Sequence, residues 1–221
     1  MRLMKNYKFT KKYDFWTDDH YTNFNQIKDY YDHMYEIAVG HPISHLEFLE
    51  IGIFEGRTST WLLDNVLQEH VMTRKKGKLH CVDPVITKNI RYNLSQHSDQ
   101  VDIYEDYSEK ILIHFLHLGN RRFDFIYVDG DHNACNLLED LILSWKMLQV
   151  NGIMLIDDYE MEATDPWHYV SHKQFNKSNP RLRFTHPRIA IDAFLNIYRG
   201  QYDLVINNYQ IGIKKIVEFS H

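Results

Sequence analysis

Leu49-Glu50-Ile51-Gly52-Ile53-Phe54-Glu55-Gly56-Arg57-Thr58-Ser59-Thr60-Trp61 is the stretch on which the fold turns. The stretch from Leu46 to Ile51, with Leu46, Phe48, Leu49 and Ile51 apolar, reads as a strand, and after the turn Trp61, Leu62, Val66 and Leu67 recur at helical spacing. A strand, a glycine-bearing turn and a helix open a parallel α/β unit. A dinucleotide fingerprint G-x-G-x-x-G beginning at Gly52 needs glycine where Phe54 and Arg57 stand, so a pyrophosphate lacks its usual cradle. What remains, Glu50-x-Gly52-x-x-x-Gly56, keeps backbone close to a ligand at Gly52 and lets the helix pack tightly at Gly56. Glycines at such a turn also serve the turn alone. The helix start at Thr58 and Ser59 offers amide groups to a ligand carboxylate.

Downstream the same alternation continues. Leu79–Val82 reads as a strand ending at Asp83 and Pro84, Val101–Tyr104 as one ending at Glu105 and Asp106, and Phe125–Val128 as one running into Asp129. Leu137, Leu138, Leu141, Ile142, Trp145 and Leu148 form one helical stripe, after which Asn151 and Gly152 turn the chain into Ile153–Ile156. A helix around Ile189–Tyr198 precedes two strands, Leu204–Ile206 and Gln210–Ile216, joined by a tight connection. The expected fold is α/β, a Rossmann-like three-layer sandwich with a mostly parallel seven-stranded sheet and an antiparallel last hairpin.

Upstream the pattern differs. Phe24, Ile27, Tyr31, Met34 and Ile37 predict an amphipathic helix ending near Gly40 and Pro42, so residues 1–40 read as a helical appendage to a domain spanning 41–221. That helix packs on its own domain or mediates a homodimer. The 221 residues, 44% hydrophobic, suffice for a full core. No apolar run approaches the roughly 20 residues that cross a bilayer, and the start of the chain has no apolar signal core, so a cytoplasmic protein with no membrane partner is expected. Cys81 and Cys135 sit in apolar segments and read as buried thiols rather than a disulfide or zinc framework. A net charge of −5 speaks against a nucleic-acid binder driven by overall charge. Two acid-free stretches, 1–12 and 166–188, are nonetheless basic; each meets an anion or is a solvated face.

Ligands of an open α/β sheet bind beyond the carboxyl ends of its strands. Here those positions hold Glu50, Asp83, Asp106, Asp129 with Asp131 and His132, and Asp157 with Asp158. Any one alone is as readily a helix cap or a loop acid. Five consecutive strands delivering carboxylates to one edge is harder to assign to chance.

The segment Leu49–Trp61, the Val82-Asp83-Pro84 turn, Val128-Asp-Gly-Asp-His132 and Gly152-Ile-Met-Leu-Ile-Asp-Asp-Tyr159 resemble the class I S-adenosylmethionine-dependent methyltransferases. They are most similar to the small metal-dependent O-methyltransferases acting on natural-product sugars and, more distantly, catechols. The resemblance covers roughly residues 44–217, including Pro187–Leu195 and the strand start at Tyr209-Gln210. It implies that Gly52 and Gly56 line the methionine end of the cofactor with Glu50 beside it and Thr58 and Ser59 nearby. It implies further that Asp83 accepts from the ribose hydroxyls, that Asp106, Tyr107 and Ser108 hold the adenine, and that Asp129 borders the cofactor. Asp129, Asp157 and Asp158 fall on the family's metal positions, and Asp131 falls where some relatives place a general base.

The residues themselves support a metal, since three carboxylates with no cysteine and one histidine make a hard site suited to Mg2+ or Mn2+. Asp157 and Asp158 can share an ion only where the strand has ended and the backbone turns. The other reading has Asp157 touching the cofactor or capping a loop and Asp158 solvated. A cation chelating two neighbouring hydroxyls would lower the pKa of one, whose proton passes to Asp131 or, as second choice, His132. Residues 160–188 read as a lid whose aromatic and basic side chains suit a sugar-like or polyol small-molecule substrate carrying an acidic group. Rival readings are a metal-independent methyltransferase of the same fold, one acting on RNA, a glycosyltransferase using Asp129-Gly130-Asp131, and a non-catalytic binding protein.

Overall fold

The computed structural model describes residues 11–15, 46–67, 77–119, 121–161 and 186–218. The helix expected within 24–37 and most of the segment 160–188 lie outside the described residues. The chain divides into two compact units, residues 1–106 and 107–221.

The first unit contains β1 (Glu47–Ile51), α1 (Arg57–Asn65), β2 (Lys78–Val82), α2 (Lys88–Ser95) and β3 (Val101–Tyr104). β1 pairs with β2 and β2 with β3, both parallel. The side chains of Phe48, Leu49, Ile51, Leu79, Cys81 and Val82 are all buried, on alternating faces. Apolar residues therefore stand at consecutive positions, as at Phe48-Leu49 and Cys81-Val82, as expected of a parallel sheet covered on both sides. Thr87 caps α2 by accepting from Ile90 N.

The second unit contains α3 (Ser108–Leu118), β4 (Phe123–Val128), α4 (Ala134–Met147), β5 (Leu148–Ile156), α5 (Pro187–Ile197), β6 (Tyr202–Asn207) and β7 (Ile211–Lys215). β4 and β5 are parallel, whereas β7 is antiparallel to both β5 and β6. The stripe on α4 buries Leu137, Leu141 and Trp145, and Trp145 meets Phe194 of α5 edge-on at 5.8 Å between ring centroids. Truncating a core aromatic of this kind costs about 3–5 kcal/mol. The strand order is β3-β2-β1-β4-β5-β7-β6, the mostly parallel seven-stranded sheet with an antiparallel end that the sequence predicts.

Two expectations need correction. Asn151 and Gly152 do not precede β5 but lie within it, because the strand starts at Leu148 and its register against β4 shifts between Phe123 and Phe125. Asn151 takes a left-handed φ of 69° at this irregularity, and a Cβ on Gly152 would stand 2.9 Å from the carbonyl oxygen of Asp124, so only glycine fits. Cys135 is exposed, not buried, because it falls in the first turn of α4 off the apolar stripe, whereas Cys81 is buried in β2. No helix among the described residues is long and apolar enough to cross a membrane.

Candidate active site

In the first unit the ladder runs one residue past each strand. Gly52 N donates to Val82 O at 2.9 Å and Asp83 N to Tyr104 O at 3.2 Å, which pins both residues at the strand ends. The connection after β1 then takes three left-handed residues, Gly52 (φ 80°), Phe54 (φ 46°) and Gly56 (φ 76°), and closes with Gly56 N on Ile53 O. For Phe54 this conformation costs on the order of 1–2 kcal/mol, so neighbouring contacts must hold it. Asp83 supplies one of them. Its Oδ2 accepts from Ile53 N at 3.0 Å and its Oδ1 from Val85 N at 2.8 Å, so one carboxylate ties the loop after β1 to the loop after β2. Each oxygen keeps a further lone pair for a ligand hydroxyl.

Glu50 is buried, and its Oε2 accepts from Ser59 Oγ at 2.6 Å. Burial pushes its pKa up to about 8, the charge of Asp83 adds to the rise, and the Ser59 hydrogen bond opposes it. The Ser59 side chain, itself buried, therefore serves Glu50, and Thr58 is half-buried at the start of α1. Asp106 is half-buried at the end of this unit, and Glu105 beside it accepts from Ile86 N and pairs with Arg91.

In the second unit Tyr107 is the N-cap residue of α3 and is exposed, while the Ser108 side chain hydrogen-bonds Asp140 of α4. The acids after β4 and β5 form a cluster. Asp157 N donates to Val128 O at 3.0 Å, and the chain turns at Asp158 with a φ of 61°. One ligand atom each of Asp129, His132 and Asp158 lies within 4.8 Å of the others. His132 Nε2 is 2.9 Å from Asp158 Oδ2, and the other oxygen of Asp158 accepts from Tyr209 OH at 2.8 Å. Burial lowers the His132 pKa, but the hydrogen bond and charge of Asp158, with Asp131 and Asp157, outweigh it and leave the imidazole raised.

Asp157 stands outside that trio. Its Oδ2 accepts from Tyr127 OH and its Oδ1 from Asp158 N at 2.8 Å, while burial and the Asp158 charge hold its pKa up. Tyr127 OH also lies 3.2 Å from Asp129 Oδ2 and receives Gln210 Nε2 at 3.4 Å. Asp131 is exposed, with Oδ1 accepting from Asn133 N and Oδ2 from Asn136 Nδ2, so it organises the start of α4. Asp158 is nearly buried rather than solvated.

Sequence reasoning missed Tyr127, which looks like one more apolar residue of β4. The signal was its position two residues before Asp129, on the same face of the strand.

A family model described as "Methyltransferase domain" matches residues 49–159, just over half of the chain and the part that carries both groups of acids. The chain belongs to this methyltransferase family. Its fold is that of the class I S-adenosylmethionine-dependent methyltransferases. An uncharacterized protein of Acanthamoeba polyphaga mimivirus is 25% identical over 123 residues, 52% of this methyltransferase-family chain and 52% of that protein; the chain thus spans about half the length of this relative. Among solved structures, MycE, a methyltransferase from the mycinamycin biosynthetic pathway in complex with Mg and SAH, superposes with a TM-score of 0.58 at 12% identity. The match covers 85% of this chain and 49% of that one. The O-methyltransferase from Bacillus cereus in complex with SAH gives 0.54 at 13% identity over 90% and 92% of the two chains.

Proposed function

We propose that the protein is an S-adenosylmethionine-dependent O-methyltransferase that uses a divalent cation, Mg2+ or Mn2+, and methylates a hydroxyl of a small polyol or sugar-like, anionic substrate. The observation that carries the reading is the convergence of Asp129, His132 and Asp158 beyond β4 and β5, in a chain of the methyltransferase family. The donors there fit such a cation, being the carboxylates of Asp129, Asp157 and Asp158 with no thiolate among them.

In this reading the first unit holds the donor. S-Adenosylmethionine supplies an electrophilic methyl group on a sulfonium. Gly52 and Gly56 let backbone approach it, with Thr58 and Ser59 at the helix start beside them. Asp83 accepts from the ribose hydroxyls, Glu50 places a carboxylate near the cationic end, and Asp106 with Tyr107 and Ser108 holds the adenine. Glu50 explains why a cation is wanted: buried without one, it is held largely neutral at pH 7, and a positive ligand favours its ionised form.

The second unit holds the acceptor. Asp129 and Asp158 hold the cation with Asp157 as third acid, and the cation supplies Lewis-acid polarisation of the acceptor hydroxyl. His132 takes the proton, while Asp131, which accepts from Asn133 N and Asn136 Nδ2, organises the start of α4. Tyr127 and Gln210 position Asp157, and Tyr209 positions Asp158. The 4.8 Å grouping favours a second reading, with His132 as the third ligand and Asp131 as the base.

Calorimetric titration with SAH and with a nicotinamide dinucleotide, each with and without Mg2+, tests the class: SAH alone should bind. His132→Gln separates the two readings. If His132 is the base, Mn2+ affinity stays within about twofold while turnover falls about 100-fold or more; if it is a ligand, both fall together. Activity that survives exhaustive chelation would remove the cation from the proposal.

A further inference from the structure

Residues 11–15 are docked on the first unit by contacts that converge on the loop after β1. Asn93 of α2 is the hub. Its side-chain oxygen accepts from Asp14 N at 2.6 Å, and its side-chain nitrogen donates to Asp14 O at 3.1 Å and to Glu55 O at 3.2 Å. One wholly buried amide therefore joins the segment 11–15 to the left-handed loop Gly52–Gly56. Two further ties flank it. Phe15 lies under the guanidinium of Arg57, 4.3 Å from the ring centroid, while Arg57 Nε binds Glu55 Oε1 at 2.9 Å. Tyr13 OH stands 2.8 Å from His97 Nε2, which is 3.2 Å from Asp64 Oδ1 of α1, and His97 and Asp64 are both buried.

We infer that residues 11–15 act as a clasp that pre-organises the Gly52–Arg57 loop for cofactor, with Tyr13, Phe15 and Asn93 as positioning residues that touch no ligand. The inference rests on the reading of that loop as the S-adenosylmethionine site. The physical reason is the loop's own strain. Three residues in five are left-handed, one of them a phenylalanine; Gly56 N closes the turn on Ile53 O, and Asp83 accepts from Ile53 N. The far end of the loop, Glu55 to Arg57, runs into α1, where Thr60 donates to Gly56 O, and is tied to residues 11–15 through Asn93 and Phe15. Releasing the clasp leaves a loop that must be ordered when the cofactor binds, which weakens affinity without altering the bound state. Releasing a segment that only added stability would lower the melting temperature and leave affinity alone.

The test measures SAH affinity by calorimetry in the full chain and in Phe15→Ala, Tyr13→Phe and Asn93→Ser, with the melting temperature of each. The expected result is an SAH Kd weakened about 5- to 20-fold in Phe15→Ala and Asn93→Ser and less in Tyr13→Phe. For an accepted substrate the KM for S-adenosylmethionine rises and kcat at saturation stays within about twofold. Linkage adds a reciprocal readout: saturating SAH slows hydrogen exchange at Asp14 N–H, by a factor that Phe15→Ala diminishes. Affinities unchanged within about twofold across Phe15→Ala and Tyr13→Phe, both at half-buried positions and folded by their melting curves, would overturn the clasp. An unaltered full chain that does not bind SAH overturns the cofactor reading, and the clasp with it.

Discussion

In residues 1–106 the strand-end acids are satisfied one hydrogen bond at a time, Asp83 by two backbone N–H groups and Glu50 by the hydroxyl of Ser59. In residues 107–221 they crowd: Asp129, Asp157 and Asp158 share Tyr127, Tyr209 and His132 among them. A spaced carboxylate with spare lone pairs suits an organic ligand with hydroxyl donors and a diffuse positive charge. Carboxylates brought together repel, and the arrangement persists only with a positive or protonated partner, here His132, or a cation in its place. The same residue type at the same kind of position thus takes two jobs according to the spacing that the turns impose.

Breaking one set of acids should spare the other. The largest effect is expected from Asp158→Ala, which lowers Mn2+ affinity about 100-fold or more while SAH binding stays within about twofold; paramagnetic resonance of free Mn2+ and calorimetry read the two. Loss of both affinities together would mean that the two groups of acids do not work separately. Asp83→Asn is the converse. It keeps the size but loses the charged acceptor, and SAH binding should weaken about 10- to 100-fold with Mn2+ binding unmoved.

Glu50 gives a pH test. Its folded pKa, about 8, lies above the unfolded value of 4.5, so the stability held by the neutral form is complete below about pH 4.5 and is lost as pH rises through about 8. Glu50→Gln should flatten the melting temperature between pH 5 and 8 and gain about 1–2 kcal/mol over the parent at the alkaline end. Saturating SAH should narrow the gap by stabilising the ionised carboxylate. A parent whose stability rises over that range contradicts a neutral Glu50. The smallest effect belongs to Asn133, whose side chain caps α4 by accepting from Cys135 N. Asn133→Ala should cost about 1 kcal/mol, a drop of about 2–4 °C, and leave SAH binding unchanged.

Much of this site was legible because a parallel strand announces its own end. An apolar run followed by Asp83, Asp129 or Asp157 fixes which side of the sheet the acid reaches, whatever the rest of the chain does. Tyr127 was not legible in the same way, since a tyrosine in a buried strand reads as packing until an acid is seen beside its hydroxyl. His132 was visible as a candidate, but its pairing with Asp158 needed coordinates, as did the use of both Asp131 oxygens at the start of α4.

The sequence by itself determined the alternation of strands and helices, the antiparallel end and the row of carboxyl-edge acids, because periodicity and turn chemistry act over a few residues. Only the tertiary structure decided which acids meet, that Asn151 and Gly152 sit inside β5, and that Asp14 binds Asn93 and Tyr13 binds His97. Those pairings join residues about eighty positions apart, where nothing local in either partner encodes the other.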